Sequence, residues 1–183
     1  MGGSESKICV RTARADDAAG LAELDAAAWS AESGFPSILQ RTAGSFFTPD
    51  NPPASHLVCE IDGQVAGYLV LRPPTTLLEN AHVIGVFGLA VAPAARRLGA
   101  ASALLAAAEE RARATGARKL SLRVLGTNEP AIRLYDRLGF EREGLLRGEF
   151  FINGDYVDDL LMAKHLEPAQ QTIDGSMPKP GTR

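Results

Sequence analysis

The run from residue 82 to residue 92, HVIGVFGLAVA, constrains the fold more than any other stretch of this sequence. After its first residue it has no polar side chain, so a strand formed here is apolar on both faces. Strands of that kind lie in the centre of a sheet that is covered on both sides. The run therefore predicts a layered domain, and Gly85 and Gly88 within it favour a bulge or the close approach of another group.

A single domain of this type accounts for the length of the chain. With 183 residues, 45% of them hydrophobic, the chain can bury one good core but is short for two ordinary domains. We expect the domain to span residues 7–166. Residues 1–6 and 167–183 are predicted to be a disordered leader and a disordered tail, because small, polar and proline-rich residues dominate there.

Hydrophobic periodicity and turn residues predict the remaining elements. Strands are expected at 7–13, on both sides of an Asp62–Gly63 turn within 56–72, at 118–125, and on both sides of an Asn153–Gly154 turn within 140–166. Helices are expected from an Asp16 or Asp17 cap to Ser30, near 37–43, over 101–115, and from a Thr127 or Asn128 cap to Gly139. The first helix would bury a stripe that consists of Leu21, Leu24, Ala28 and Trp29.

Charge and cysteine content exclude several classes of partner. A net charge of −3 does not favour nucleic acid or an anionic membrane surface, and no apolar run is long enough to span a bilayer. Cys9 and Cys59 stand alone, outside any metal-binding spacing. We expect a cytoplasmic protein with no metal, no nucleic-acid partner and no membrane partner.

The stretch PAARRLGAAS, residues 93–102, combines two arginines with a glycine and small side chains between a strand and a helix. Such a turn exposes main-chain N–H groups at a helix N-terminus, where an anion such as a diphosphate can bind. An ordinary basic turn before a helix explains the same residues. The spacing matches neither the glycine–lysine loop of nucleotide triphosphatases nor the glycine pattern of dinucleotide-binding folds.

This stretch resembles the pyrophosphate signature of the GNAT family of N-acetyltransferases. That signature is an Arg or Gln, any two residues, Gly, any residue, and Gly or Ala, and it corresponds here to Arg96 through Ala101. NEPAIRLYDRLGFEREG follows at the spacing that the family shows, and the resemblance spans residues 7–166. It implies an α/β, GNAT-like acyl-CoA N-acyltransferase fold, with a central, mixed and mostly antiparallel sheet of about seven strands and helices on both faces.

The resemblance also implies an activity and a co-substrate. It implies an N-acetyltransferase that moves the acetyl group of acetyl-CoA to a primary amine by direct attack in a ternary complex. The amine would belong to a small molecule, an amino-acid-like compound or a peptide N-terminus. The acetyl-CoA arm would lie where the central strand separates from its neighbour. The residues implied to bind the cofactor are Gly88, Leu89, Ala90, Val91, Arg96, Arg97, Leu98, Gly99, Ala100, Ala101, Ser102 and Asn128.

Two of the implied residues also have simpler explanations. Tyr135 occupies the family's position for the acid that protonates the departing thiolate, and it also touches the cofactor there. It fits equally into the buried stripe of its helix. Asn128 occupies the position of a pantetheine contact, and it is also a good helix cap.

A general base is the point at which this sequence departs from the family. Relatives often carry Glu or His on the central strand, where this chain has Gly85 and Phe87. Glu32, His82 and Glu79 are candidate substitutes, although each also fits a surface position. A water chain, or an amine that arrives partly neutral, remains open. The acidic residues of the last hairpin either attract a cationic amine or form a solvated edge: Glu149, Asp155, Asp158 and Asp159.

Two further interpretations stay open at this point. The chain is either an enzyme or a non-catalytic acyl-CoA-binding regulatory module. The missing strand base is the feature that favours the second of these. Gly85 and Gly88 leave room for an acyl group larger than acetyl. The sequence does not decide between a monomer and a homodimer.

Overall fold

The computed structural model describes residues 7–28 and 46–167. Three helices belong to this part of the chain: α1 (Ala18–Ala28), α2 (Ala100–Ala114) and α3 (Glu129–Arg137). The strands are β1 (Ile8–Thr12), β2 (His56–Ile61), β3 (Gln64–Arg72), β4 (Val83–Val91), β5 (Lys119–Leu125), β6 (Glu141–Ile152) and β7 (Asp155–His165). Every strand that the sequence predicted is present, and its ends differ from the prediction by at most one residue.

The strands form one seven-stranded sheet in the order β1-β2-β3-β4-β5-β7-β6. Only β4 and β5 are parallel, and all other neighbours are antiparallel. The 82–92 run becomes β4 at the centre of the order, as its apolar character on both faces predicted. The expected mixed, mostly antiparallel α/β sheet is confirmed.

Helices cover both faces of the sheet, and the two faces bury separate clusters. On one face Leu21, Leu24 and Ala28 of α1 pack against Tyr68 and Val70 of β3. On the other face α2 and α3 pack against the central strands, and Leu104 and Leu105 of α2 are fully buried. Three of the four residues predicted for the buried stripe of α1 are therefore confirmed, and the fourth, Trp29, lies outside the described residues.

The predicted hairpin turns are confirmed, because both adopt the left-handed conformation that such turns require. Asp62 and Gly63 have φ values of 52° and 80°, and Asn153 and Gly154 have φ values of 54° and 96°. Gly139, with φ of 81°, ends α3 as expected. The same dipeptide chemistry thus fixes the register of two hairpins at opposite ends of the sheet.

The start of α1 differs from the prediction. Asp16 and Asp17 do not cap the α-helix. Both lie in a 3-10 turn, Ala15–Asp17, that precedes it. The carboxylate of Asp17 accepts a hydrogen bond of 2.6 Å from the main-chain N–H of Arg14 and forms an ion pair of 2.7 Å with Arg11. The predicted helix end at Ser30, the short helix near 37–43, and the termini at 1–6 and 168–183 lie outside the described residues.

Candidate active site

A cleft opens where β4 and β5 separate. The two strands pair only from Val83 with Lys119 to Val86 with Leu122, although β4 continues to Val91 and β5 continues to Leu125. The cleft has a volume of about 1650 Å³ and is lined by β4, β5, the loop and first turn of α2, and α3. The main chain of β4 from residue 87 to residue 91 therefore has no strand partner on its β5 side.

A bulge in β4 lies at the same point. Val70 pairs with Gly88 and Leu71 pairs with Val86, so Phe87 is the extra residue on β4. Its ring is half-exposed at the cleft and packs directly over Gly85, where an added Cβ would lie 2.7 Å from the Phe87 ring. The bulge predicted from the glycines is confirmed. The space at Gly85 holds the Phe87 ring, so that glycine does not supply room for a larger acyl group.

The loop before α2 has the geometry of an anion-binding turn. Arg97 and Gly99 both have positive φ, 67° and 92°, and no side chain caps the helix that begins at Ala100. The main-chain N–H groups of Ala100, Ala101 and Ser102 have no main-chain acceptor among the described residues. Unsatisfied N–H groups at a helix start, with small side chains around them, can hold the oxygens of a diphosphate.

The loop's three larger side chains, Arg96, Arg97 and Leu98, have separate surroundings. Arg96 donates a hydrogen bond of 2.8 Å to the main-chain oxygen of Ala28. The Arg97 side chain is exposed at the cleft and has no hydrogen-bond or ion-pair partner among residues 7–28 and 46–167. Leu98 is 53% exposed and does not line the cleft.

Asn128 and Tyr135 bring α3 to the cleft. Asn128 caps α3, since its Oδ1 accepts a hydrogen bond of 3.3 Å from the N–H of Ala131. Its Nδ2 has no partner in the described part of the chain. Tyr135 is buried against Phe140, with ring centroids 5.6 Å apart, and burial raises the pKa of its phenol to about 12. Its hydroxyl has no hydrogen-bond partner among the described residues and remains protonated near neutral pH.

Neither of the two candidate bases within the described residues, His82 and Glu79, lines the cleft. His82 is exposed and immediately precedes β4, where its main-chain oxygen accepts hydrogen bonds from the N–H groups of Arg118 and Lys119. At about 3.3 Å per residue, five residues of strand place it roughly 17 Å from Phe87. Glu79 is exposed in the 3-10 turn Leu78–Asn80 and does not line the cleft either. Glu32 lies outside the described residues.

The acidic residues of the last hairpin are largely occupied. Asp159 is only 2% exposed and forms an ion pair with Arg123, which also contacts Glu149 at 3.0 Å. Asp158 accepts a hydrogen bond of 2.8 Å from the N–H of Gly148. Arg123 therefore pairs with two of the four acidic residues, whereas Glu149 and Asp155 are exposed in the hairpin that forms this edge of the sheet.

In the described ranges, no cluster of three or more His, Cys, Asp or Glu side chains could hold a metal ion. No helix within those ranges is long and apolar enough to cross a membrane.

Known proteins share both the sequence pattern and the fold. The acetyltransferase (GNAT) family matches residues 20–140. An N-alpha-acetyltransferase of Sulfurisphaera tokodaii is 35% identical over 62% of this chain and 70% of its own length. An L-amino acid N-acetyltransferase of Escherichia coli is 35% identical over 63% of this chain and 70% of its own length. A GNAT superfamily phosphinothricin acetyltransferase of Sinorhizobium meliloti, solved in complex with AcCoA, has a TM-score of 0.67 at 21% identity, covering 95% of this chain and 98% of that one.

The chain belongs to the acetyltransferase (GNAT) family. It is an acetyl-CoA-dependent N-acetyltransferase, an enzyme that transfers an acetyl group to an amine. The findings give no support to the alternative of a non-catalytic acyl-CoA-binding module.

Sequence reasoning missed two features of this site. Arg72, the last residue of β3, lies with its guanidinium over the Phe87 ring, 4.5 Å from the centroid. The Arg96–Ala28 hydrogen bond joins residues 68 positions apart. A charged residue directly after an apolar strand was the only signal for Arg72, and that pattern is common at strand ends.

Proposed function

We propose that this enzyme acetylates the α-amino group of an amino acid or a peptide. The observation that carries the proposal is that no free base lines the described part of the cleft. Its acidic side chains are Glu129, Glu143 and Asp159, and each forms an ion pair, with Arg133, Lys119 and Arg123 respectively. No histidine of the described residues lines the cleft.

A cleft without a free base favours the least basic of the biological amines. An α-amino group at a chain terminus has a pKa of about 7.7–8.0, so roughly a third of it is neutral at pH 7.5. A lysine side chain, with a pKa of about 10.4, is only about 0.1% neutral at that pH. The α-amine therefore needs little help in losing its proton before it attacks. The names of the two relatives, N-alpha-acetyltransferase and L-amino acid N-acetyltransferase, agree with this preference.

The residues that bind acetyl-CoA are part of the same proposal. The main chain of Leu89, Ala90 and Val91 has no strand partner on the β5 side within the described part of the chain, and it can pair with the pantetheine arm as with an additional strand. The N–H groups of Ala100, Ala101 and Ser102 hold the diphosphate. Acetyl-CoA supplies the thioester. The neutral amine attacks its carbonyl carbon, so that a C–N bond forms and the C–S bond breaks to release the coenzyme A thiolate. Nothing in this arrangement requires an ionised side chain next to the acetyl group.

Tyr135 and Asn128 act on the sulfur and the pantetheine arm respectively. With a pKa of about 12, the Tyr135 phenol is a weaker acid than an ordinary tyrosine. Complete proton transfer to a thiolate with a pKa near 8.5 would cost about 5 kcal/mol. We therefore assign to Tyr135 a hydrogen bond that stabilises charge on the departing sulfur, and to Asn128 Nδ2 a hydrogen bond to the pantetheine arm.

The proposal is tested by the rate of thiol release from acetyl-CoA with matched amines. At pH 7.5, a dipeptide with one free α-amine and N-alpha-acetyl-lysine, with only its ε-amine free, present the two groups on similar frames. We expect kcat/KM for the α-amine to exceed that for the ε-amine by about 300-fold, which follows from the neutral fractions. Equal or faster turnover of the ε-amine would contradict the proposal.

A further inference from the structure

Arg72 is a half-buried cation that has no hydrogen-bond or ion-pair partner among the described residues. Four arginines of the described residues are half-buried, and three of them donate to an acceptor: Arg11 to Asp17 and Glu60, Arg111 to the main-chain oxygen of Ala54, and Arg113 to Glu109. Arg72 has no hydrogen bond or ion pair among the described residues, and its Nε is fully buried without an acceptor. A buried donor normally has a partner, so this one requires an explanation.

The position of Arg72 points to the acceptor substrate. Its main chain pairs with Gly85, and its guanidinium lies over Phe87, the first residue of β4 beyond the last β5 pair. Tyr68 and Val70, which precede it at alternate positions of β3, pack on the face of the sheet that α1 covers. Arg72 therefore extends the same face, opposite to α2, beside the point at which β4 becomes free. Arg72 does not itself line the cleft, but it pairs with Gly85 and stacks on Phe87, and both of these residues do.

The guanidinium is fixed in orientation but still accessible. Its stacking on the Phe87 ring leaves the edge of the guanidinium plane, where the N–H groups lie, free for an acceptor. Only Nε is enclosed. The two terminal nitrogens are not among the buried, unpartnered atoms, although neither has a hydrogen bond in the described part of the chain. A planar group held in this way is suited to a carboxylate, which accepts two parallel hydrogen bonds from it.

We propose that Arg72 binds the carboxylate of a free amino acid. This contact would hold the α-amine of that amino acid beside the exposed main chain of β4. The inference rests on the proposed α-amine specificity and narrows it from amino acids and peptides to free amino acids. A peptide N-terminus has an amide in place of that carboxylate and gains no ion pair with Arg72.

The same ion pair affects the amine. In a free amino acid the adjacent carboxylate stabilises the ammonium form and raises the pKa of the amine above that of a chain terminus. A guanidinium paired with the carboxylate cancels most of that effect. Arg72 thus makes the amine easier to deprotonate in a cleft whose described carboxylates are all ion-paired.

The first test compares each acceptor with its own amide. Leucine, phenylalanine and glutamate, each beside the corresponding α-amide, are assayed with wild type and with Arg72→Gln at one pH. The ratio of kcat/KM for acid over amide is expected to fall by about 10- to 100-fold in the variant, as for loss of a charge-assisted hydrogen bond. The fall should result mainly from a higher KM for the acid, and Arg72→Lys should restore part of the ratio.

Arg118→Gln is the matched control, because Arg118 is an exposed arginine that forms no side-chain ion pair among the described residues and, unlike Arg72, does not stack on Phe87. Its acid-to-amide ratio should equal that of wild type. An unchanged ratio in Arg72→Gln would overturn the inference.

A second test needs no variant. The carboxylate 4-methylpentanoate is leucine without its amino group, and 4-methylpentanamide is its uncharged counterpart. We expect only the carboxylate to inhibit the wild-type enzyme competitively against the amine. Equal inhibition by both, or none by either, would overturn the carboxylate site. Turnover of amides and dipeptides without a preference for acids would refute this inference alone, whereas turnover of ε-amines in place of α-amines would refute the proposed function.

Discussion

The guanidinium of Arg96 donates a 2.8 Å hydrogen bond to the main-chain oxygen of Ala28, which joins the loop before α2 to the last described residue of α1. Arg96, the first arginine of the loop, thus links α1 to the loop before α2, and the two helices lie on opposite faces of the sheet. Arg97, directly after Arg96, is the arginine of this loop whose guanidinium has no partner within the described ranges. The two neighbouring side chains should therefore respond differently to substitution.

We predict that Arg96→Gln lowers the free energy of unfolding by about 1 kcal/mol, because a hydrogen bond is lost. Arg97→Gln should leave stability unchanged and weaken acetyl-CoA binding about 3- to 5-fold at low salt, with the difference shrinking at high salt because exposed charges are screened. Denaturant unfolding and calorimetric titration at two salt concentrations measure these effects. A salt-independent loss of affinity in Arg97→Gln would contradict a simple charge contribution.

Gly99→Val should weaken acetyl-CoA binding by more than 10-fold. Gly99 has φ of 92°, which a β-branched residue adopts only with strain, so the first N–H groups of α2 would shift. Gly116→Val is the matched control, since Gly116 has φ of 81° at the other end of α2 and no neighbour within 4 Å of an added Cβ. Both variants should lose stability, but only Gly99→Val should lose affinity. Unchanged affinity in Gly99→Val would contradict the proposed binding of the diphosphate by the first N–H groups of α2.

Two substitutions at Asn128 separate its cap from its proposed cofactor contact. Asn128→Ala removes both and should cost about 1 kcal/mol of stability. Asn128→Asp keeps a cap oxygen for Ala131 but has no Nδ2, so the free energy of unfolding should stay near wild type. Acetyl-CoA affinity should fall about 2- to 10-fold in both variants, the range of one hydrogen bond. Full affinity in Asn128→Asp would show that the side chain is a cap and nothing more.

Tyr135→Phe should lower kcat about 10- to 100-fold while the Kd for acetyl-CoA changes less than 3-fold. The hydroxyl is proposed to stabilise charge that develops on sulfur only as the thiolate departs, so its loss affects the transition state more than the bound state. Tyr156→Phe serves as the control, because Tyr156 is 78% exposed and does not line the cleft. Equal kcat in Tyr135→Phe and wild type would remove the proposed role.

The raised pKa of Tyr135 also predicts how stability changes in alkali. Its phenol has a pKa of about 12 in the folded protein and about 10 in the unfolded chain. The unfolded chain therefore loses this proton first as pH rises. The contribution of Tyr135 to the free energy of unfolding is fully present below pH 10 and is lost toward pH 12. The loss should reach about 2 kcal/mol at pH 12. The free energy of unfolding of wild type relative to that of Tyr135→Phe should fall by that amount from pH 9 to pH 12, and a constant difference would contradict the buried phenol.

Local patterns in the sequence determined most of the fold. The charge-free 83–92 run predicted a central strand because a strand buried on both faces needs apolar residues at every position. Asp62–Gly63 and Asn153–Gly154 predicted two hairpins because their backbone conformations favour those residues. The order of strand, basic turn and helix around Gly99 also predicted the family, because an anion-binding helix start depends on residues that are adjacent in the chain.

Relationships between distant residues were decided only by the tertiary structure. The sequence showed no pattern that would place Arg72 over Phe87, attach Arg96 to Ala28, or pair Arg123 with Asp159. Each depends on how strands and helices pack rather than on local spacing. The same holds for His82, whose position at the start of β4 keeps it far from the cleft although it belongs to the right strand. Backbone conformation follows from neighbours along the chain, whereas charge pairing and access to a cleft follow from neighbours in space.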